Sequence, residues 1–308
     1  MTPATLPWIS ADDVFARLGF GAAIRAVQRD LRAGLDPAGD FSRSILDLAH
    51  GQLLLMPTQS PEFVGVKVAT VAPGNQALGR ARIQGVYLLM DAATLSPIAL
   101  IDGIALTTLR TPAISAAVAD ILAPSKVDHL VVFGSGPQAW GHIQAMQAIR
   151  VVGRVTIVAR DMGRAAALAL RVKADGVDAR VGQADDVRDA QLIVCATTAR
   201  TPLFDGSLVP DDSLSVAVGS HEADARELDS ALIARAQVVV EDCAVALSEA
   251  GDLLIPLGEG VVDPESLVPM RDIITGSTPV DHGRPRVFKS SGMSWEDLVI
   301  AAEVFRAG

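Results

Sequence analysis

The sequence predicts an α/β protein whose second half forms a Rossmann-type, doubly wound parallel sheet. A glycine turn lies between an apolar strand, 130–133, and a helix that begins at Pro137. More strand–helix units follow this turn, and their strands are continuous apolar runs, as in sheets buried on both faces. The N-terminal third has shorter strand-like runs without intervening helices, which indicates an antiparallel or mixed sheet.

In the N-terminal third, two helices precede this sheet. Ser10 and Asp13 form a capping box for a short helix that ends at Gly19, and a second helix, 22–33, ends at Gly34. The predicted strands are 43–48, 53–56, 64–71, 85–90 and 98–101. The last two form a hairpin, which is the clearest part of this sheet.

A long apolar helix, 113–122, joins the two halves, with Thr111 as its cap and Pro112 at its first position. The predicted strands of the second half are 130–133, 154–158, 191–196, 214–218 and 237–241, and its further helices are 137–149, 161–174 and 226–235. The chain closes with a strand, 286–289, and a helix, 295–305, capped by Ser294 and Asp297. This last piece is too short for a core of its own, so we expect it to pack on the N-terminal block.

Composition narrows the class of protein. The net charge of −10 argues against nucleic acid or an anionic membrane as a partner. The sequence shows no signal peptide, and no apolar run approaches the length that a membrane span needs. The two cysteines, Cys195 and Cys243, have no neighbours at metal-binding spacing and predict no disulfide framework. We therefore expect a cytoplasmic protein without a metal site.

The glycine turn predicts a dinucleotide site. Gly134 permits the tight turn, Gly136 allows close approach of a pyrophosphate, and Ala139 stands where a third small residue packs the helix on its strand. The helix that starts at Pro137 and Gln138 presents its N–H groups to the phosphates.

The strand 154–158 indicates which dinucleotide binds. An acid at this strand end takes the ribose hydroxyls of NAD, whereas an arginine accommodates the 2′-phosphate of NADP. Here Arg160 precedes Asp161, and Arg164 follows one turn later, so we expect NADP(H) in preference to NAD(H). Asp161 has the alternative role of capping the next helix. The predicted cofactor-binding residues also include Thr111, Thr197 and Ser291.

The order of motifs resembles the ornithine cyclodeaminase/mu-crystallin family. The matching segments are 42–44 (SRS), 56–57 (MP), 65–67 (GVK), 73–75 (PGN), 107–113 (TTLRTPA), 134–139 (GSGPQA), 196–198 (ATT), 218–220 (VGS), 226–229 (RELD) and 291–298 (SGMSWEDL). The resemblance implies a Rossmann domain, 116–284, inserted into a substrate-binding and dimerisation domain formed by 1–115 and 285–308. It also implies a homodimer.

The resemblance further implies that Arg43, Lys67 and Arg110 hold a substrate α-carboxylate. Guanidinium groups bind carboxylates bidentately, and an ammonium can add a point charge or donate a proton. Lys67 lies inside an apolar run, where a lysine is costly to bury without a purpose. Arg43 could equally be an ordinary exposed strand residue, and Arg110 could pair with a nearby carboxylate.

The main departure from the family is His221. Cyclodeaminases of the family carry an aspartate at this strand end, proposed to act as the base and to hold the δ-amino group. A histidine can donate a proton near neutral pH but binds an ammonium group poorly. His221 could also be a simple loop residue, and in either case ornithine cyclodeamination is disfavoured.

These residues predict an enzyme that reduces a cyclic α-imino acid, such as Δ1-pyrroline-2-carboxylate or Δ1-piperideine-2-carboxylate, with NAD(P)H. Lys67 and His221 are the candidate catalytic acids. The alternatives are an NAD+-dependent ornithine cyclodeaminase and an oxidoreductase that resembles alanine dehydrogenase. A binding protein like mu-crystallin ranks last, because aromatic residues make up only 4% of the chain.

Overall fold

The computed structural model describes residues 5–220 and 222–308, apart from the side chain of Gln76. The predicted site residue His221 therefore lies outside the described residues. The chain divides into two compact units. One contains the residues up to Thr111 together with Met293–Gly308, and the other is Pro112–Gly292.

Both units contain α-helices and β-strands. The strands are β1 (Trp8–Ile9), β2 (Ser44–Leu48), β3 (Gly51–Gln59), β4 (Phe63–Val71), β5 (Ile83–Asp91), β6 (Pro97–Asp102), β7 (Val127–Phe133), β8 (Val152–Val158), β9 (Asp178–Val181), β10 (Leu192–Cys195), β11 (Leu214–Ala217), β12 (Gln237–Val240), β13 (Val268–Pro269) and β14 (Arg286–Lys289). The α-helices are α1 (Ala11–Arg17), α2 (Phe20–Arg32), α3 (Gly103–Leu122), α4 (Pro137–Gln147), α5 (Met162–Ala174), α6 (Ser230–Arg235), α7 (Cys243–Glu249), α8 (Gly251–Gly258), α9 (Met270–Thr275) and α10 (Ser294–Arg306).

The first unit is built on a mixed sheet with the strand order β1-β6-β5-β4-β3-β2. The pairs from β2 to β6 are antiparallel, and β1 pairs with β6 in parallel. In β4, buried residues alternate with half-buried ones. Since neighbouring side chains in a strand point to opposite faces, the buried residues form the face that α10 covers. Lys67 lies on this face, opposite Met56 in β3 and Tyr87 in β5.

The helix α3 is longer than predicted. Asp102 caps it, because its Oδ1 atom accepts the backbone N–H groups of Ile104 and Ala105, each at 2.9 Å. Thr111 and Pro112, expected at its start, lie in its interior, so the predicted capping role of Thr111 is wrong. A proline lacks only one N–H donor, and the buried apolar run around it supports the helix through that gap.

By length and composition alone, α3 could also cross a membrane, which corrects the expectation that no apolar segment is long enough. However, 67% of its most apolar window is buried inside the protein, as in the core helix of a soluble protein.

The second unit is built on a parallel sheet with the order β13-β12-β14-β11-β10-β7-β8-β9. From β7 the chain first moves outward through β8 and β9 and then returns to the other side of β7 at β10. This reversal is the point where doubly wound sheets bind their ligands, beyond the carboxyl ends of the strands. The predicted α/β fold class is confirmed.

The position of β14 differs from the prediction. This strand inserts between β11 and β12 of the parallel sheet, whereas we expected 285–308 to return as one piece to the N-terminal block. All four residues of β14 are buried, and both of its backbone edges pair with neighbours. Both edges of β14 are thus paired inside the parallel sheet, and the chain rejoins the first unit only from Met293.

Candidate active site

The first unit contains a buried ionic cluster centred on Lys67. The Lys67 Nζ atom lies 2.6 Å from the Asp297 Oδ2 atom and 3.4 Å from the Thr107 Oγ1 atom. The Lys67 side chain is 4% exposed and that of Asp297 is fully buried. Charges buried this deeply are tolerated only when they are paired. The predicted lysine therefore has a partner 230 residues away in sequence.

Arg110 belongs to the same cluster. Its Nη1 atom donates a hydrogen bond to Glu296 at 2.5 Å, and its Nε atom lies 3.6 Å from the Asp297 Oδ1 atom. Asp297 thus contacts both cations, with one oxygen facing each. The structure brings Lys67 and Arg110 together as predicted, but adds two carboxylates that sequence reasoning did not find.

The cluster perturbs the groups inside it. Burial lowers the pKa of Lys67 and the charge of Arg110 lowers it further, whereas Asp297 raises it. Burial raises the pKa of Tyr87 well above its usual value, with Asp297 and Asp40 adding to this effect. The Tyr87 hydroxyl therefore stays protonated, and it has no hydrogen-bond partner among the described residues. It lies over Gly65, where a Cβ atom would come within 2.0 Å of the hydroxyl oxygen.

Arg43 lies directly before β2 and is partly exposed. Ser44 pairs with Leu55 in β3, and the next residue of β3, Met56, pairs with Lys67. If the alternation of β2 continues by one residue, Arg43 lies on the same face of the sheet as Lys67. Its role in carboxylate binding stays a prediction.

The start of α10 explains why the acidic pair was missed. The sequence suggests Ser294 as the cap with Asp297 as its partner, but the cap is Met293, whose N–H donates to Glu296 Oε1 at 3.0 Å. This shift by one residue leaves Asp297 available to the cations. Asp40 accepts the N–H of Trp295 at 2.9 Å and further fixes the helix start. One signal could have revealed the pair: Glu296 and Asp297 precede a wholly apolar stretch, 298–302.

In the second unit, the glycine turn has the expected geometry. Gly134 has a φ of 115°, and a Cβ atom there would lie 2.4 Å from the Ala196 carbonyl oxygen. Gly136 is the N-cap of α4, and a Cβ atom there would meet no atom within 4 Å. Pro137 occupies the first turn of α4, and Ala139 is fully buried. Gln138 follows in the same turn, with its carbonyl oxygen 2.8 Å from the ring of His142.

This turn fits a dinucleotide cofactor. The N-cap of α4, Gly136, has no side chain that could cap the first turn, and N–H groups at the start of a helix are suited to binding an anion. The clear space above Gly136 is what close approach of a pyrophosphate requires. The turn would thus hold the phosphates through backbone groups.

The end of β8 carries the predicted selectivity residues. Arg160, Asp161 and Arg164 are all exposed. Asp161 caps α5, since its carboxylate accepts the N–H of Arg164 at 3.0 Å. The residue that directly follows β8 is Ala159, which supplies no carboxylate for a ribose. Asp161 is therefore the N-cap of α5, which is the alternative role that the sequence suggested.

Thr197 and Ser291 hold the loops that follow β10 and β14. The N–H and hydroxyl of Thr197 both donate to Glu227, at 2.9 Å and 2.6 Å. The N–H of Ser291 donates to Glu241 at 2.9 Å, and the N–H of Gly292 donates to the same oxygen. Contact of either residue with a cofactor stays a prediction.

Comparison with known proteins identifies the family to which this chain belongs. The profile of the ornithine cyclodeaminase/mu-crystallin family matches residues 15–307. This chain belongs to that family. A relative from Colwellia psychrerythraea, named Δ1-pyrroline-2-carboxylate reductase, is 31% identical over 96% of this chain and 97% of its own length.

Two further known proteins are similar to this chain. A Δ1-pyrroline-2-carboxylate/Δ1-piperideine-2-carboxylate reductase from Azospirillum brasilense is 30% identical over 95% of this chain and 93% of its own. The solved structure of Thermococcus litoralis Δ1-pyrroline-2-carboxylate reductase, in complex with NADH and L-proline, superposes with a TM-score of 0.92 at 26% identity. That superposition covers 98% of this chain and 97% of the other. The resemblance found in the sequence is confirmed.

Proposed function

We propose that this protein reduces a cyclic α-imino acid to the amino acid with a nicotinamide cofactor. Δ1-Pyrroline-2-carboxylate and Δ1-piperideine-2-carboxylate are the proposed substrates. The convergence of Lys67 and Arg110 in one buried cluster carries the proposal, because an imino-acid carboxylate needs cationic partners shielded from water. The names of the full-length relatives support the same reaction.

In the proposed reaction, Arg43, Lys67 and Arg110 hold the substrate carboxylate and orient the C=N bond. Lys67 or His221 protonates the imine nitrogen. A nicotinamide cofactor, when bound, would supply the hydride. Because the cofactor carries this chemistry, most of the protein's contribution is the positioning of the imine carbon.

We also propose a preference for NADP(H) over NAD(H). Arg160 and Arg164 supply exposed positive charge after β8, and Ala159 stands at the strand end where NAD-binding folds carry an acid. Asp161 is engaged by its capping bond to the N–H of Arg164 and does not oppose this preference.

We further propose that the protein is a homodimer formed through the face of the mixed sheet opposite α10. On this face β4 carries Val64, Val66 and Val68, which are only half-buried. Leu46 and Leu48 continue the face at β2 and are 48% and 54% exposed. A contiguous apolar face of this kind is typical of an interface. A cytoplasmic location stays a prediction.

A substrate panel tests the proposed reaction. Purified protein is mixed with NADPH or NADH and with cyclic or open-chain imino acids, and loss of nicotinamide absorbance is followed. We expect oxidation of the cofactor with the cyclic imines, faster with NADPH, and a loss of at least about 100-fold in Lys67→Ala. Lys126→Ala, which removes an exposed lysine, is the control.

The same panel includes ornithine with catalytic NAD+, because the family also contains cyclodeaminases. Proline and ammonia from ornithine, without turnover of any imine, would replace the proposed function by cyclodeamination. Activity with none of these compounds would contradict both.

A further inference from the structure

We propose that Asp297 is a positioning residue that fixes the Lys67 ammonium and keeps it charged as the proton donor of the reaction. Glu296, its neighbour in α10, positions Arg110 in the same way. This inference rests on the proposed function and selects Lys67, rather than His221, as the acid.

Each cation has a different carboxylate as its nearest partner, and Asp297 also lies 3.6 Å from the Nε atom of Arg110. Asp297 Oδ2 lies 2.6 Å from Lys67 Nζ, and Glu296 Oε2 lies 2.5 Å from Arg110 Nη1. All four side chains are at least nine-tenths buried. With two positive and two negative charges, they form a balanced group, which is the arrangement that makes burial of the cations affordable.

A role limited to stability would be a poor explanation for this group. Replacing a buried ion pair by apolar residues is often neutral or stabilising, so such a pair is weak evidence for a stability function. Here the two carboxylates pair with Lys67 and Arg110, the same cations that the family resemblance assigns to substrate binding. Both carboxylates lie in the first turn of α10, where the helix dipole also favours negative charge.

The surroundings of Lys67 show why Asp297 is needed. From β5, Tyr87 presents a neutral phenol, and from α3 come the hydroxyl of Thr107 and the guanidinium of Arg110. Burial and Arg110 both lower the pKa of Lys67, so this side of its environment favours the neutral amine. Asp297 opposes them most strongly, with a smaller contribution from Glu296.

The proton balance gives Asp297 its task. The imine nitrogen takes a proton from the Lys67 ammonium, and the imine carbon receives a hydride with its electron pair from the cofactor. The C=N π pair becomes the lone pair of the product amine, and Lys67 is left as a neutral amine. Lys67 then regains a proton from water, and Asp297 makes this recharging favourable.

Lysine NMR tests the inference without any turnover. The chain contains four lysines, Lys67, Lys126, Lys173 and Lys289, so [ε-13C]lysine labelling gives a small set of resonances, and Lys67→Arg assigns the signal of interest. Titration of the resting protein should show a Lys67 pKa about one to three units lower in Asp297→Asn than in the wild type. Glu303→Gln, on the same helix but paired with Arg29 and Arg306, should leave it unchanged.

The kinetic readout is the alkaline limb of the kcat profile with the cyclic imine. In Asp297→Asn this limb should move to lower pH together with the NMR titration, and Asp297→Glu, which keeps the charge, should restore part of the shift. Glu296→Gln should chiefly raise the KM for the imino acid, with a smaller shift of the limb. A Lys67 pKa that is the same in folded Asp297→Asn and wild type overturns the inference.

If Asp297→Asn does not fold, the comparison of Asp297→Glu and Glu296→Gln decides the question. Only the inferred role predicts that the two variants differ in which parameter changes, kcat or KM. A wild type that reduces no imine refutes the proposed function, whereas the NMR titration still reports whether Asp297 controls the charge of Lys67.

Discussion

His142 is a buried histidine that serves structure rather than the reaction. Its Nδ1 atom lies 2.8 Å from the carbonyl oxygen of Gln138, and its Nε2 atom lies 2.9 Å from the Ser115 Oγ atom. The carbonyl can only accept, so Nδ1 carries the hydrogen and Nε2 accepts from the serine hydroxyl. Burial lowers the pKa of His142 to about 4, and the ring is neutral in the folded protein.

This neutral ring makes the second unit sensitive to acid. The folded pKa is depressed below the unfolded value of about 6.5, so the unfolded state binds the proton first as the pH falls. The stability that the neutral His142 ring contributes to the protein is fully present above about pH 6.5 and is lost as the pH falls towards about 4. Between pH 7 and pH 5 the loss amounts to about 2 kcal/mol.

We therefore predict that His142→Gln reduces the acid sensitivity of the free energy of unfolding. Chemical denaturation at pH 7 and pH 5 measures the difference for each protein. The matched control is His50→Gln, at an exposed histidine, which should lose as much stability over this range as the wild type. Equal losses in His142→Gln and wild type would show that folding does not lower the pKa of this ring.

Single residues also show how far the sequence could predict the site. Lys67 could be predicted because an ammonium in an apolar strand demands a reason. Asp297 could not, because a capping role explained it equally well and the choice between Ser294 and Met293 as the cap depends on a one-residue shift. A partner that arrives from the far end of the chain leaves no local signal in the sequence.

At the scale of elements, a second buried ion pair connects β14 to α8. The Nζ atom of Lys289 lies 3.0 Å from the Asp252 Oδ2 atom and also donates to the carbonyl of Ser220. The other oxygen of Asp252 accepts the N–H groups of Glu227 and Leu228, at 2.7 Å and 2.8 Å. Since Glu227 in turn accepts from the loops after β10 and β11, this network holds the carboxyl end of the parallel sheet in one arrangement.

We predict that Lys289→Met lowers the free energy of unfolding by about 3–5 kcal/mol, because it leaves the Asp252 carboxylate buried without its cation. Urea denaturation measures the loss. Lys126→Met is the control, since the exposed pair of Lys126 with Asp128 is worth less than about 1 kcal/mol. The double variant Lys289→Met/Asp252→Asn should lose less than the sum of the single changes, and strict additivity would disprove the coupling.

The placement of β14 shows a limit of prediction at this scale. The strands β7, β8, β10, β11 and β12 could be predicted because continuous apolar runs are typical of a parallel sheet. The segment Arg286–Lys289 begins and ends with a charged residue, and a strand this short carries no pattern that identifies its sheet. Lys289 and Arg286 find their buried partners in other elements, Asp252 in α8 and the carbonyl of Leu122 in α3, which are distant in sequence.

At the scale of the whole molecule, charge and apolar surface have opposing effects on association. The net charge of −10 keeps separate copies apart through general repulsion. The half-buried valines of β4 and the exposed Leu46 and Leu48 form an apolar face. Covering this face lowers the free energy, because it removes apolar surface from water. If the proposed homodimer uses this face, its local apolar contact must outweigh the repulsion, and salt should strengthen the dimer by screening the charge.

We accordingly predict that Leu46→Glu/Leu48→Glu converts the dimer to a monomer in sedimentation velocity at micromolar concentration. The two glutamates put charge on the apolar face and also increase the net negative charge by which two copies repel each other. Leu170→Glu, at a 68% exposed leucine of α5 in the other unit, changes the net charge without touching the face and should stay dimeric. In the wild type, the melting temperature should rise with protein concentration, as it does when association stabilises the folded state. A wild type that sediments as a monomer would refute the dimer, and a dimeric double variant would assign it to another surface.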